Sequence, residues 1–251
     1  MGVLGPQPSP TPSVLPNAGG KSATEVREMF ARVARRYDFL NHFLSLGRDF
    51  YWRKVAAREA AGLGPGDVLV DVCTGTGDLA FAFHKAAPEA QIVALDFTQE
   101  MIDLALRKAE RQKVRAVRFS VGDALALPLP DNSAALAGAA FGLRNVADTE
   151  RALKELVRVV RPGGKVLVLE FTRPRGRLFG PAYMFYFRRI LPLLARVFAA
   201  GAGDAYSYLP RSVVAFAGPE ELARQLASVG LRDVRAVPLT CGVVHLYVGV
   251  K

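Results

Sequence analysis

Val70-Asp71-Val72-Cys73-Thr74-Gly75-Thr76-Gly77-Asp78 reads as a short buried strand that runs straight into a Gly-x-Gly turn and then a helix. Glycines at such a junction let the backbone bend tightly and approach a ligand, and the first turn of the helix offers free N–H groups. A nucleotide-like cofactor is expected against this turn. The run Gly75-Thr76-Gly77-Asp78-Leu79-Ala80 also meets the looser dinucleotide-binding pattern, so the glycines alone leave a nicotinamide oxidoreductase open. Outward from the turn, 68–72, 91–95, 114–121, 135–141 and 165–171 read as strands. Helices over 78–87, 99–111 and 149–160 separate them, the last followed by a Pro162-Gly163-Gly164 stop. That alternation predicts an α/β, doubly wound, Rossmann-like sheet. A helix over 220–229 and a terminal antiparallel strand pair, 231–237 with 243–250, complete it.

The chain has 251 residues, enough for one large α/β domain with additions. With 51% hydrophobic and 22% charged residues it is neither a disordered chain, a collagen nor a disulfide scaffold. Two cysteines, Cys73 and Cys241, cannot build a zinc site between them, and no metal is expected. One pair gives no disulfide framework, which fits a reducing cytoplasm.

Residues 1–20 carry five prolines and no charge, and read as a flexible tail without the basic start and apolar stretch of a signal peptide. The domain is expected over 21–251. Within it 21–60 forms a helical cap, because Met29, Val33, Tyr37, Leu40, Phe43 and Leu44 recur at helical spacing, with Asn41 and Gly47 as punctuation. The net charge is +10. Six arginines between Phe171 and Gly203 (Arg173, Arg175, Arg177, Arg188, Arg189 and Arg196), with no lysine or acid, supply much of it. They lie in an aromatic insertion, 172–215, that is too interrupted by Arg188, Arg189, Pro192 and Arg196 to span a bilayer.

Three acids sharpen the reading of the turn. Asp96 ends the second strand, where a carboxylate can take both ribose hydroxyls. Asp123 follows the third, where it can reach an adenine edge with the backbone of Ala124. Asp71 lies just before the turn; beside a pyrophosphate it would be repelled, whereas beside an ammonium or sulfonium it is welcome. The arrangement favours S-adenosylmethionine over NAD. For each acid singly, a helix cap or solvated turn serves as well, but their ordered recurrence favours the site.

Beyond the turn, the chain carries Met29-Phe30, Tyr37-Asp38, Asn41, Leu44-Ser45, Gly47 and Trp52-Arg53, then Gly122-Asp123-Ala124, Leu127-Pro128 and Asp131-Asn132-Ser133. Phe141-Gly142-Leu143-Arg144-Asn145-Val146, Leu169-Glu170-Phe171, Tyr206, Tyr208-Leu209 and Leu239-Thr240 follow. In these segments the chain resembles the menaquinone and ubiquinone biosynthesis C-methyltransferases, a class I S-adenosylmethionine-dependent family, over everything after the tail. The resemblance implies a class I methyltransferase sheet with a lid-like insertion. The cofactor set it implies, joined to the acids above, is Asp71, Gly75, Thr76, Gly77, Asp96, Phe97, Asp123 and Ala124. The chain departs from the family at Asp49-Phe50, Ala134-Ala135, Ala140 and Tyr247, the last with His245 two residues earlier, so no histidine base is carried over.

The implied reaction is methylation of a ring carbon of a polyprenylated demethylmenaquinol, or of the benzoquinol of ubiquinone biosynthesis. Menaquinol is favoured because Val72-Cys73-Thr74-Gly75-Thr76-Gly77 and Asp96-Phe97-Thr98 resemble the menaquinone-only branch more. The enzyme must align carbon and methyl in line and make the ring nucleophilic at a hydroxyl. Arg144 is the candidate at the ring, stabilising a phenolate or positioning a base water, and Asn145 positions the same loop. The alternative is a structural arginine bound to Glu170 or backbone. Tyr37, Asp38, Asn41, Tyr206 and Tyr208 are weaker pocket candidates, for which packing or capping is the plainer account. Over 172–200, Phe179, Tyr183, Phe185, Tyr186 and Phe187 beside arginines suit either peripheral contact with the inner face of a membrane, a lid over the pocket, or pairing with a second copy. Nucleic acid is not expected, since the basic residues lie among aliphatic ones. A non-catalytic lipid-binding module on the same fold is the remaining rival.

Overall fold

The computed structural model describes Asn17 and residues 19–174, 176–177, 179–190 and 203–251. The proline-rich stretch through Pro16, Arg175 and Arg196 lie outside the described residues, as do the side chains of Val33, Tyr37, Leu40, Asn41, Phe43, Leu44, Arg188 and Tyr206.

The helical elements are α1 (Ala23–Leu44), α2 (Arg48–Ala57), α3 (Asp78–Ala86), α4 (Gln99–Gln112), α5 (Thr149–Val159), α6 (Phe179–Phe185), α7 (Gly203–Ala215) and α8 (Pro219–Ser228). The strands are β1 (Val68–Val72), β2 (Gln91–Asp96), β3 (Val117–Val121), β4 (Ala134–Ala140), β5 (Val160–Phe171), β6 (Arg232–Leu239) and β7 (Val244–Val250). They form one sheet in the order β3-β2-β1-β4-β5-β7-β6. It is parallel from β3 to β5, and β7 runs antiparallel to both β5 and β6. The doubly wound sheet and the terminal antiparallel pair therefore stand as the sequence predicts.

Central strands buried on both faces read as continuous apolar runs, and Leu69 through Val72 are all buried. One face packs Trp52, Leu79, Phe83, Ile92 and Leu167; the other packs Val70, Leu95, Leu153, Leu156, Val168 and Leu222. In α5 the residues Ala152, Leu153, Leu156 and Val159 share the buried face, and Asp148 caps the helix by accepting from Arg151 N at 2.9 Å. Chain order reverses between β1 and β4, so the crevice above their carboxyl ends is the topological switch point of the sheet.

Three boundaries differ from the sequence reading. Pro162-Gly163-Gly164 lies inside β5: Gly163 N donates to Lys251 O at 2.9 Å and Lys251 N to Gly164 O at 3.0 Å, so the last residue of the chain turns the stop into a paired irregularity. Val114 closes the C-terminus of α4 from outside it, its N–H donating to Ala109 O at 2.9 Å after Lys113 turns left-handed, and β3 begins only at Val117. Asn41 does not interrupt α1; the break falls at Leu46 and Gly47, both at positive φ.

Candidate active site

The crevice is a cleft of about 1080 Å³, counting its open mouth. Its floor is the β1–α3 turn, its sides are the ends of β2, β3 and β4, and α1 closes over it with Val26, Arg27 and Phe30. The turn is shaped for close approach. Gly77 sits at φ +88, and a Cβ there would lie 2.8 Å from the Phe119 ring, so only glycine fits. Cys73 and Phe141 hold positive φ, 57 and 59, at the ends of β1 and β4. Left-handed backbone at non-glycine residues flanking one cleft is the strain that functional sites carry.

Of the expected cofactor residues, Asp71, Gly75, Thr76, Asp96, Phe97, Asp123 and Ala124 line the cleft together, while Gly77 shapes the turn without being part of the lining. Asp71 has no exposed surface. Its Oδ2 accepts from the Thr74 hydroxyl at 2.5 Å, and its Oδ1 has no hydrogen-bond partner. Burial pushes its carboxyl up to about 7, with the Thr74 hydroxyl opposing. Asp96 ties the floor to the wall, Oδ2 accepting from Gly75 N at 2.8 Å and Oδ1 from Thr98 N at 2.9 Å. Burial raises its carboxyl too, against those two N–H donors. Two bonds use half the lone pairs of a carboxylate, so Asp96 retains room for hydroxyl donors. Asp123 Oδ1 accepts from Leu125 N at 2.9 Å, an Asx turn that holds the β3 loop along the cleft.

Arg144 is buried and is not part of the cleft lining. Its Nη1 donates to Glu170 Oε1 at 2.6 Å and to Phe141 O at 2.5 Å. Nε of Arg144 and Oε2 of Glu170 have no hydrogen-bond partner. Burial raises the Glu170 carboxyl and the Arg144 charge opposes it. Asn145, the next residue, does line the cleft.

A polar strip that sequence reasoning largely missed fastens the cap to the turn. The Thr76 hydroxyl donates to Asp38 Oδ1 of α1 at 2.5 Å, Lys108 of α4 reaches Asp38 Oδ2 at 2.9 Å and also pairs with Asp78, and Arg53 of α2 donates to Asp49 at 2.6 Å and lies 3.6 Å from Asp78. Burial disfavours charge on Asp49 and Asp78, yet the Ser45 hydroxyl and Arg53 at Asp49, and Arg53 and Lys108 at Asp78, outweigh it and hold both carboxyls below their usual values. His42, Asp49 and Asp78 converge as three metal-type ligands, but these cations already neutralise the acids. Thr76 and Asp38 are the strip's candidates in the sequence; Arg53, Asp78 and Lys108 are brought to them through tertiary packing of α2, α3 and α4.

The protein at large is similar to known ones along most of its length. It is 46% identical over 226 residues to the demethylmenaquinone methyltransferase of Deinococcus radiodurans, covering 90% of this chain and 92% of that protein. It is 47% identical to that of Thermus thermophilus, covering 88% and 99%. Among solved structures, phosphoethanolamine N-methyltransferase 2 of Haemonchus contortus in complex with S-adenosyl-L-methionine superposes with a TM-score of 0.65 at 15% identity. That match covers 90% of this chain and 60% of the longer one. A SAM-dependent methyltransferase of Thermotoga maritima superposes with a TM-score of 0.61 at 19% identity, over 90% and 99%. These two share the fold. The model of the ubiE/COQ5 methyltransferase family matches residues 19–251, and the chain belongs to that family.

Proposed function

We propose that this methyltransferase transfers the methyl group of S-adenosylmethionine to a ring carbon of a polyprenylated demethylmenaquinol, giving menaquinol. The observation that carries the reading is the buried Asp71 with an unpartnered oxygen at the cleft floor. A carboxylate there attracts a cationic ligand and repels the pyrophosphate of a dinucleotide, which also tells against the oxidoreductase alternative. The methyl donor would rest with its amino-acid end by Asp71 and the Gly75-Thr76-Gly77 turn, its ribose at Asp96 beside Phe97, and its adenine at Asp123 and Ala124. When bound it would supply a methyl activated on a sulfonium: the ring carbon would bond to that methyl as the S–C electron pair goes to sulfur, leaving S-adenosylhomocysteine, and the ring proton would pass to solvent water.

What the chain supplies is alignment and charge. The Thr76–Asp38 bond holds α1 over the turn. Asn145 faces the space above the turn, and Arg144 behind it places a buried positive charge near the oxygens of a quinol whose hydroxyl has lost its proton. The curated relatives named for demethylmenaquinone support menaquinol as acceptor; a relative in Geobacter sulfurreducens, 40% identical, is named for both ubiquinone and menaquinone biosynthesis. Among the described residues no helix is long and apolar enough to cross a membrane. We read α6 and the helical turn over 186–190 after it, with Phe179, Phe185 and Ile190 exposed beside exposed Arg177 and Arg189, as the face that meets the bilayer holding the substrate. Flotation with anionic but not neutral vesicles checks that contact.

Titration calorimetry with S-adenosylhomocysteine, NADH in parallel, tests the whole reading, followed by methyl transfer to chemically reduced demethylmenaquinone and demethoxy-type benzoquinone analogues. Micromolar binding of S-adenosylhomocysteine alone and turnover of the naphthoquinol are expected. In the same titration Asp96→Ala is expected to weaken binding by about 1.5–3 kcal/mol, the range for lost charged hydrogen bonds. Unchanged affinity would move the ribose elsewhere.

A further inference from the structure

Behind the cleft, a chain of hydrogen bonds dictates which way the Asn145 amide points. Asn17 is buried, and its Oδ1 accepts from Gly19 N at 2.9 Å and Lys21 N at 3.2 Å, which fixes its own orientation. Its Nδ2, able only to donate, gives one hydrogen bond to Asn145 O at 3.1 Å and one to the Tyr208 hydroxyl at 2.7 Å. The Tyr208 oxygen is therefore an acceptor on that side, and its single proton is left for Asn145 Oδ1 at 3.2 Å. With Oδ1 so occupied, the amide nitrogen of Asn145 faces the other way, one N–H toward Phe141 O at 3.4 Å and the second free for a group in the cleft that Asn145 lines. Tyr208 is itself buried, and burial raises its phenol, so it stays protonated and keeps donating. The segment before α1 is seated tightly against the ring: a Cβ on Gly19 would lie 2.1 Å from Tyr208 Cε2, so the strap and the tyrosine fit only as a pair.

We propose that Asn17 and Tyr208 are positioning residues that commit Asn145 to donating a hydrogen bond to a quinol oxygen, so that the site favours the quinolate whose ring carbon is the nucleophile. This rests on the quinol reading above. An acceptor-only relay would have turned the amide oxygen into the cleft, where it would repel the same quinolate.

Two variants test it. Tyr208→Phe removes the proton that holds Asn145 Oδ1. Asn17→Asp keeps the contacts to Gly19 and Lys21 but can only accept, so the Tyr208 proton turns toward it and Asn145 is released. Each is compared with the wild type in methylation of a reduced demethylmenaquinone analogue across pH, and in spectrophotometric titration of 1-naphthol bound to the protein saturated with S-adenosylhomocysteine. In both variants kcat at pH 7 is expected to fall about tenfold, KM for S-adenosylmethionine to hold, and the pH limb of kcat and the pKa of bound naphthol to rise by about one unit, the worth of one hydrogen bond to a charged oxygen. The rate deficit should vanish at high pH, where the quinol ionises unaided. A deficit uniform over pH, or a wild-type profile in both variants, overturns the proposal and leaves Asn17 and Tyr208 as packing. A wild type that methylates no quinol sinks the proposed function instead, and the naphthol titration then judges the relay alone.

Discussion

Asp71→Asn is expected to make the ligand-free protein more stable above pH 7 and, at the same time, to weaken its hold on the methyl donor. Burial raises the folded Asp71 carboxyl to about 7, against about 3.9 in an unfolded chain. Between those values the folded protein binds a proton that the unfolded chain has lost. Stability therefore falls as pH rises through the window, by up to about 4 kcal/mol once pH 8 is reached. Asparagine does not titrate, so its variant escapes that loss: its thermal midpoint should exceed the wild type's by several degrees at pH 8 and show no advantage at pH 4. A cationic ligand draws the wild-type carboxyl into its ionised form, so binding expels a proton, and affinity for S-adenosylmethionine should climb about tenfold per unit below pH 7 and level off above it. Loss of the ionic partner in the variant costs about 1.5–3 kcal/mol of binding, with the pH dependence gone. A variant no more stable at pH 8, together with flat wild-type affinity from pH 5.5 to 7.5, would show that Asp71 is neither the strained group nor the cationic subsite. Stability given up at a binding residue is the usual trade between fold and function.

The sheet could be read from the sequence because Val68–Val70, Ile92–Leu95 and Val166–Leu169 are unbroken apolar runs inside β1, β2 and β5, and the acids at strand ends follow from strand order alone. Asp71, Asp96 and Asp123 reach one cleft because parallel strands place their carboxyl ends together. What local pattern cannot hold is any partner fixed by folding. Val160 to Gly164 joins β5 through Ala134 of β4 opposite Val160 and Lys251 beside Gly163 and Gly164, partners far off in sequence. Lys108 reads as a solvated lysine of α4 until Asp38 and Asp78 are brought to it. Asn17 carries no helical or strand signal at all, and its meeting with Tyr208 spans 191 positions. Arg144 is the instructive middle case: both its pairing with Glu170 and a role at the ring could be framed from sequence, and the pairing is what the structure holds.

That pairing sets the second large effect. Arg144→Ala is expected to destabilise the protein by about 3–5 kcal/mol, because it leaves Glu170, fully buried, as an uncompensated charge. Phe141 O loses a donor as well, at the residue whose positive φ shapes the cleft. Loss of turnover in that variant alone would say nothing about chemistry. Replacing both partners, Arg144→Met with Glu170→Leu, removes both buried charges and is expected to recover most of the stability in a denaturant melt, as apolar substitutes for buried ion pairs do. Cleft residues Asp71 and Asp96 are untouched, so affinity for S-adenosylhomocysteine should match the wild type. If the guanidinium steadies charge on the quinol oxygens, the double variant methylates about tenfold more slowly, less than the ~10²–10³ of a donor in direct contact because Arg144 stands behind the lining. A double variant that regains stability and turnover together would assign Arg144 wholly to holding the Phe141–Asn145 turn, and would leave Asn145 as the residue of that turn that meets the ring.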